Sequence, residues 1–131
     1  MPCSVTRSPG RRIGVGAAAY ARTVELRKLT EDAETVSARY AERHGFTRDD
    51  AWFMLKLNEE VGELTQAFLR RAGQARVSGR SPEQIDADFE AELADVLCHT
   101  LLLARRHGVD LAAAVERKWL VRLPAPSQPG C

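Results

Sequence analysis

Two acidic pairs stand out in the sequence because their spacing would place each pair side by side on a helix. Glu60 and Glu63 are three residues apart in the segment KLNEEVGEL, and Glu92 and Asp95 are three residues apart in ELADVL. Residues three apart on an α-helix are neighbours on one face. Both pairs flank apolar stripes, so antiparallel packing of the two stripes would bring all four carboxylates to one edge of the interface.

Carboxylates gathered in this way repel one another and are costly to desolvate unless a cation neutralises them. Mg²⁺, or Mn²⁺ in its place, prefers oxygen ligands and is suited to this task. Such ions serve phosphate chemistry by binding anionic oxygens and polarising a water molecule. The residues therefore predict a divalent-metal site, and the alternative is a solvated acidic surface of the kind that many helices carry.

Four helices are predicted to position these acids, with no internal repeat and no strand-like alternation. The first is expected to stop at Gly45, and Thr47 is a candidate cap for the second. The third has a strong start, in which Ser81 caps, Pro82 takes the first position and Gln84 completes a capping box. The predicted ranges are about Val24 to His44, from just after Thr47 to Ala72, Pro82 to His107, and Leu111 to Arg122.

The apolar stripes of the two central helices predict how the chain is packed. The stripe of the second helix consists of Phe53, Leu57, Val61, Leu64 and Phe68. The third helix carries apolar residues around more of its circumference than one partner helix covers. We therefore predict an all-α, four-helix bundle whose core is completed by oligomerisation, because a few helices bury little surface alone.

With these motifs in place, the chain resembles the MazG-like all-α nucleoside triphosphate pyrophosphohydrolases. The resemblance rests on KLNEEVGEL, ELADVL and GVDLAAAVERK, which follow the family pattern EExxE, then ExxD, then a last helix with a basic residue. It covers roughly Leu26 to Arg122. It implies a MazG-like bundle that assembles as a dimer or tetramer and cleaves the α–β phosphoanhydride of a nucleotide, releasing a monophosphate and pyrophosphate.

The resemblance also implies roles for individual residues. It matches four carboxylates to the family's metal ligands: Glu60, Glu63, Glu92 and Asp95. Glu59 matches the glutamate that orients or deprotonates the attacking water, and Lys118 matches the basic residue that holds phosphate. Arg122 resembles a family arginine near the same end, but the chain lacks the asparagine and the wider spacing that relatives place between the two, which puts its role in doubt.

Three further residues are candidates for binding the substrate. Trp52 and Lys56 are one turn apart on the acidic side of the second helix, away from its apolar stripe. Trp52 suits stacking on a nucleobase, and it equally suits the rim of a subunit contact. His99 lies one turn after Asp95 and points toward the acids, where it would contact sugar or base, unless it is a partly buried structural histidine.

The function expected from this pattern is Mg²⁺-dependent hydrolysis of a (deoxy)nucleoside triphosphate, with a role in cleaning the nucleotide pool. One alternative is hydrolysis of phosphoribosyl-ATP, by a related fold with a similar acidic pattern. The other is a non-catalytic helical dimer that binds a partner protein. The complete set of carboxylates argues against that last alternative, because nothing would retain four repelling charges in a lapsed enzyme.

Length and composition limit the number of domains, the classes of partner and the location that can be expected. The chain of 131 residues suits one domain, expected at residues 24–123 between a flexible leader (1–23) and a flexible tail (124–131). A formal net charge of +1 predicts no nucleic-acid surface, and no apolar run approaches the ~20 residues of a membrane helix.

Three cysteines without a CxxC pair favour the cytoplasm. The alternative is export, suggested by Arg11–Arg12 before a short run of small residues.

Overall fold

The computed structural model describes residues 25–125, which form four α-helices and one short 3₁₀ helix, with no β-strand among them. The helices are α1 (Leu26–His44), α2 (Asp50–Arg71), α3 (Pro82–Arg106) and α4 (Leu111–Lys118), followed by the 3₁₀ helix Leu120–Arg122. The predicted all-α class with four helices is confirmed for this part of the chain. The predicted leader and residues 126–131 of the predicted tail lie outside the described residues.

Several helix ends follow from the residues that the sequence places there. Gly45 takes the left-handed conformation (φ 68°), and its N–H donates to carbonyls at the end of α1. At the start of α3, the Ser81 side chain accepts from the Gln84 N–H, while the Gln84 side chain accepts from the Ser81 N–H. Both predicted helix ends are confirmed.

Two other predicted ends are wrong. Helix α2 begins at Asp50, because the side chain of Asp49 and not that of Thr47 caps it, accepting the N–H of Trp52 at 2.8 Å. Helix α4 ends at Lys118 instead of running on to Arg122, and the chain tightens into the 3₁₀ helix. Leu123 is extended (φ −62°, ψ 134°), as expected for a residue that precedes a proline.

Helices α2 and α3 pack against each other along their lengths and run antiparallel. Arg71 at the end of α2 pairs with Asp86 near the start of α3 at 2.7 Å, and Arg106 at the end of α3 pairs with Asp50 at the start of α2 at 2.7 Å. Helix α1 packs mainly on α3. The main packing partner of α4 is the 3₁₀ helix that follows it.

The core within one chain is small. Its buried apolar side chains are Ala41, Phe53, Ala67, Ile85, Leu101 and Leu102. By contrast, a stripe along α2 and α3 remains about half exposed, and it contains Val61, Phe68, Leu93 and Leu97. Many of the apolar residues that were predicted to pack between helices are therefore exposed to solvent in the single chain. Within residues 25–125, none of the helices combines the length and apolar character needed to cross a membrane.

Candidate metal centre and adjoining cavity

The antiparallel pairing of α2 with α3 brings three of the predicted carboxylates together. Glu60 and Glu63 lie on neighbouring turns of α2, and Glu92 faces them from the middle of α3. One carboxylate oxygen from each of these residues lies within 4.8 Å of the other two. The spacing in the sequence predicted the pairing within a helix, and the helix packing adds the third carboxylate.

The three carboxylates differ in their surroundings. Glu60 is 5% exposed and is the one fully buried charged residue of the described chain, whereas Glu63 is exposed. Glu92 is half-buried, and its Oε2 atom is shielded from solvent without a hydrogen-bond partner among residues 25–125. Burial first, and then the charges of Glu63 and Asp95, raise the pKa of Glu92 above its ordinary value.

Lys56 supplies a positive charge at one side of this cluster. Its Nζ atom lies 2.7 Å from Oε1 of Glu60 and 3.0 Å from Oε2 of Glu59. Burial would lower the pKa of Lys56, but the hydrogen bonds to the two glutamates outweigh it and raise the pKa above the ordinary value. The ammonium is thus fixed in its charged form beside the most buried carboxylate.

The donor set fits a small divalent cation. All three clustered side chains offer carboxylate oxygens, the ligands that Mg²⁺ and Mn²⁺ prefer. The unpartnered Oε2 of Glu92 is a buried acceptor that a cation would satisfy. Lys56 neutralises part of the negative charge, but it bonds to Glu59 and Glu60, and no basic side chain within residues 25–125 pairs with Glu63 or Glu92.

The other two predicted acids lie at the margins of the cluster. Asp95 is exposed, one turn after Glu92 on α3, and it is not among the three residues with mutually close oxygens. Its charge nevertheless contributes to the raised pKa of Glu92. Glu59 is exposed on α2, and its carboxylate accepts from Lys56. Both could take part in chemistry at the edge of the cluster.

A cavity of about 500 Å³ lies beside Asp95 and is lined by residues of α1, α2 and α3. Trp52, Lys56, Asp95 and His99 line it, so four sequence-predicted site residues share one space. The wall formed by α1 consists of Leu29, Asp32, Ala33, Val36, Ser37 and Tyr40. Sequence reasoning missed this wall, whose only signal is the three- and four-residue spacing of its small, apolar and aromatic members.

Trp52 and His99 meet at the inner side of the cavity. Their ring centroids are 6.1 Å apart in an edge-on arrangement, and Nε2 of His99 lies 3.7 Å from Oε1 of Glu60. Burial lowers the pKa of His99 despite the opposing effect of Glu60, which favours the neutral imidazole. Nδ1 of His99 is shielded from solvent and has no hydrogen-bond partner in the described part of the chain.

Lys118 and Arg122 lie apart from this arrangement. Lys118 is the exposed last residue of α4, and Arg122 is exposed in the 3₁₀ helix. Neither forms an ion pair with any carboxylate of residues 25–125. The single chain therefore brings together three of the predicted carboxylates and the cavity residues but not the predicted phosphate-binding residues of its last helix.

Comparisons with models of protein families, with curated proteins and with solved structures each returned no match for the chain. What the site does is therefore inferred from its geometry and from the motif residues. The arrangement combines three carboxylates that could hold a metal ion, an ammonium paired with Glu59 and Glu60, and an adjoining cavity with aromatic side chains. Together these can hold a small anionic ligand that carries an aromatic ring.

Proposed function

We propose that the chain is a Mg²⁺-dependent nucleotide pyrophosphohydrolase of the MazG-like kind, with Mn²⁺ able to replace Mg²⁺. The observation that carries the proposal is the junction of the three-carboxylate cluster with the aromatic cavity. A cavity of about 500 Å³ lies within the size range of small-molecule sites, roughly 300 to 1,000 Å³. Phosphates would lie at the acid end, and the base would lie between α1 and α2.

The carboxylates would have two different roles, metal binding and proton transfer. Glu60, Glu63 and Glu92 would hold the cation, with Asp95 adding a ligand from the cavity side. A bound Mg²⁺ would neutralise the phosphate oxygens and polarise the phosphorus toward attack. Glu59, exposed beside the cluster, would accept the proton of the attacking water. Cleavage at the α–β anhydride then yields a monophosphate and pyrophosphate.

The cavity supplies the remaining contacts with the nucleotide. The indole of Trp52 would stack on the base. His99, which lines the cavity, would form a hydrogen bond with sugar or base. The side-chain ammonium of Lys56 would contact a phosphate at the acid end. The near-neutral net charge favours a single nucleotide over a nucleic-acid strand as substrate.

Replacing Trp52 with alanine is expected to raise KM for the preferred nucleotide by about tenfold, with a smaller change in kcat, because a base–aromatic stack is worth roughly 1 to 3 kcal/mol. Trp52→Phe keeps a stacking ring and should restore most of the affinity. Steady-state kinetics of pyrophosphate release measures both constants. An unchanged KM in Trp52→Ala would place the indole in a subunit contact instead of the substrate site.

We further propose that the active form is a homodimer or homotetramer, because the half-exposed apolar stripe on α2 and α3 would be buried in a subunit interface. Docking of α4 in that assembly would place Lys118 and Arg122 at the phosphates. This accounts for an exposed α4 whose main packing partner is the 3₁₀ helix after it.

Light scattering at micromolar concentration is expected to report a mass of at least two chains. Leu97→Asp, which puts a charge in the middle of the exposed stripe, should shift the protein toward the monomer. Val77→Asp makes the same kind of change in the α2–α3 loop, where Val77 is 43% exposed, and should leave the mass unchanged. A wild-type monomer would contradict the assembly.

The proposed activity is tested with a panel of ribo- and deoxyribonucleoside triphosphates in Mg²⁺, scored separately for pyrophosphate and orthophosphate. Release of pyrophosphate from at least one nucleotide, abolished by EDTA, is the expected result. Phosphoribosyl-ATP belongs in the panel, since preference for it would assign the chain to that biosynthetic hydrolysis. Absence of turnover with every substrate would leave a partner-binding helical protein as the better reading.

A further inference from the structure

Two lysine–carboxylate pairs in the chain have the same local geometry and very different surroundings. Lys28 and Asp32 on α1 are four residues apart and 2.6 Å from each other, with side chains 68% and 59% exposed. Lys56 and Glu60 on α2 have the same spacing at 2.7 Å, but their side chains are 27% and 6% exposed. The second pair therefore places a partly buried ammonium against the buried carboxylate of the acid site.

The Glu60 carboxylate faces two kinds of cation at once. Its Oε1 atom bonds to Lys56, and the same carboxylate contributes an oxygen to the cluster with Glu63 and Glu92. A divalent ion bound by that cluster would lie only a few ångströms from the ammonium. Positive charges at such a separation repel strongly in a partly dry site.

We propose that Lys56 is a placeholder cation: its ammonium neutralises Glu60 in the metal-free protein, and an arriving divalent ion displaces it toward the cavity. The lysine stem is flexible, and its ammonium can exchange one oxygen acceptor for another. Lys56 also lines the cavity, so the displaced ammonium has a place beside the bound phosphates. This inference rests on the proposed function only in treating the acid cluster as a metal centre.

The direction in which metal affinity changes when Lys56 is removed distinguishes a placeholder from a residue that only positions Glu60. A positioning lysine helps the carboxylate to bind metal, so its removal would weaken metal binding. A placeholder competes with the metal for the same carboxylate, so its removal strengthens metal binding. Removing it also leaves Glu60 buried without a counter-ion, which should make the metal-free protein less stable.

Calorimetric titration of MgCl₂ and MnCl₂ alone, without nucleotide, tests the proposal. Lys56→Met is expected to bind the cation about tenfold more tightly than wild type, because one nearby positive charge is gone. Lys56→Arg keeps that charge and should bind as wild type does. Lys28→Met removes a lysine from the exposed pair of equal spacing and should also leave metal affinity unchanged.

A measurement on the wild-type protein covers the case in which Lys56→Met fails to fold. The chain has three lysines, Lys28, Lys56 and Lys118, so their side-chain ammonium signals can be resolved by NMR. Addition of Mg²⁺ should move the Lys56 signal toward that of exposed Lys28, while the Lys28 signal stays in place.

The titration and NMR results distinguish failure of the placeholder role from failure of the metal centre. Wild-type metal binding with equal or weaker binding by folded Lys56→Met, or with an unmoved Lys56 signal at saturation, overturns the placeholder and leaves the proposed function standing. Absence of metal binding by both wild type and Lys56→Met overturns the metal centre and the inference together. Tighter binding by Lys56→Met together with a shifted Lys56 signal supports the placeholder.

Discussion

Nucleotide hydrolysis is expected to fall by about 100-fold or more when Glu63 is replaced by glutamine, with no loss of helical structure. The amide keeps the size of the side chain but removes the negative charge that would hold the cation. Glu63 is exposed on α2, and the fold does not depend on its burial. Pyrophosphate release at saturating Mg²⁺ gives the activity, and far-ultraviolet circular dichroism reports the helices.

Glu90→Gln is the matched control for that experiment. Glu90 is an exposed glutamate on α3 that lies two residues before Glu92, on a different face of the helix. The control makes the same chemical change and should retain near-full activity. Near-full activity in Glu63→Gln would remove this residue from the metal centre, and equal losses in both variants would point to a general effect of surface charge.

The second large effect is expected in thermal stability. Mg²⁺ should raise the melting temperature of the wild-type protein, and Glu92→Gln should melt higher than wild type without metal while gaining little from Mg²⁺. A cation that binds only the folded form adds about 2.7 kcal/mol at a free concentration 100-fold above Kd. For a domain of this size that corresponds to a shift of several degrees.

The pH dependence of the same variants follows from the raised pKa of Glu92. A carboxyl whose pKa is higher folded than unfolded binds its proton more readily in the folded state. The contribution of Glu92 to the stability of the metal-free protein is therefore lost as pH rises from the ordinary carboxyl pKa through the raised folded value. Glu92→Gln cannot titrate and should not show this loss.

Scanning calorimetry in Mg²⁺ and in EDTA at matched ionic strength separates binding from general screening. A wild-type melting temperature that is equal in both buffers at millimolar Mg²⁺, and equal again with a non-hydrolysable nucleotide present, would contradict the metal centre. A Glu92→Gln variant that melts lower than wild type in EDTA would show that Glu92 stabilises the fold.

The parts of the site that could be predicted from the sequence are those set by local geometry. Helical periodicity placed Glu60 beside Glu63 on one face, and it put their apolar neighbours toward the helix that carries Glu92. Capping chemistry predicted where α3 starts. These features depend on residues within a turn or two of one another, so the spacing in the sequence carries them.

The cavity could not be predicted, because it exists only where α1 packs across the other helices. Ala33, Val36 and Tyr40 are unremarkable as residue types on an amphipathic helix. Burial of the Lys56–Glu60 pair is equally invisible, since Lys28 and Asp32 have the same spacing on the surface. What separates the two pairs is tertiary packing, which sequence spacing does not encode.

The clustered carboxylates and one wall of the cavity lie on different helices, which affects how substrate preference can change during evolution. All the clustered carboxylates belong to α2 and α3, whereas one whole wall of the cavity belongs to α1. Under the proposed function, substitutions at Ala33 or Val36 would reshape the space for the base without touching a metal ligand. A lineage could therefore exchange one nucleotide for another through drift in a single helix, and a laboratory library confined to that helix could follow the same route.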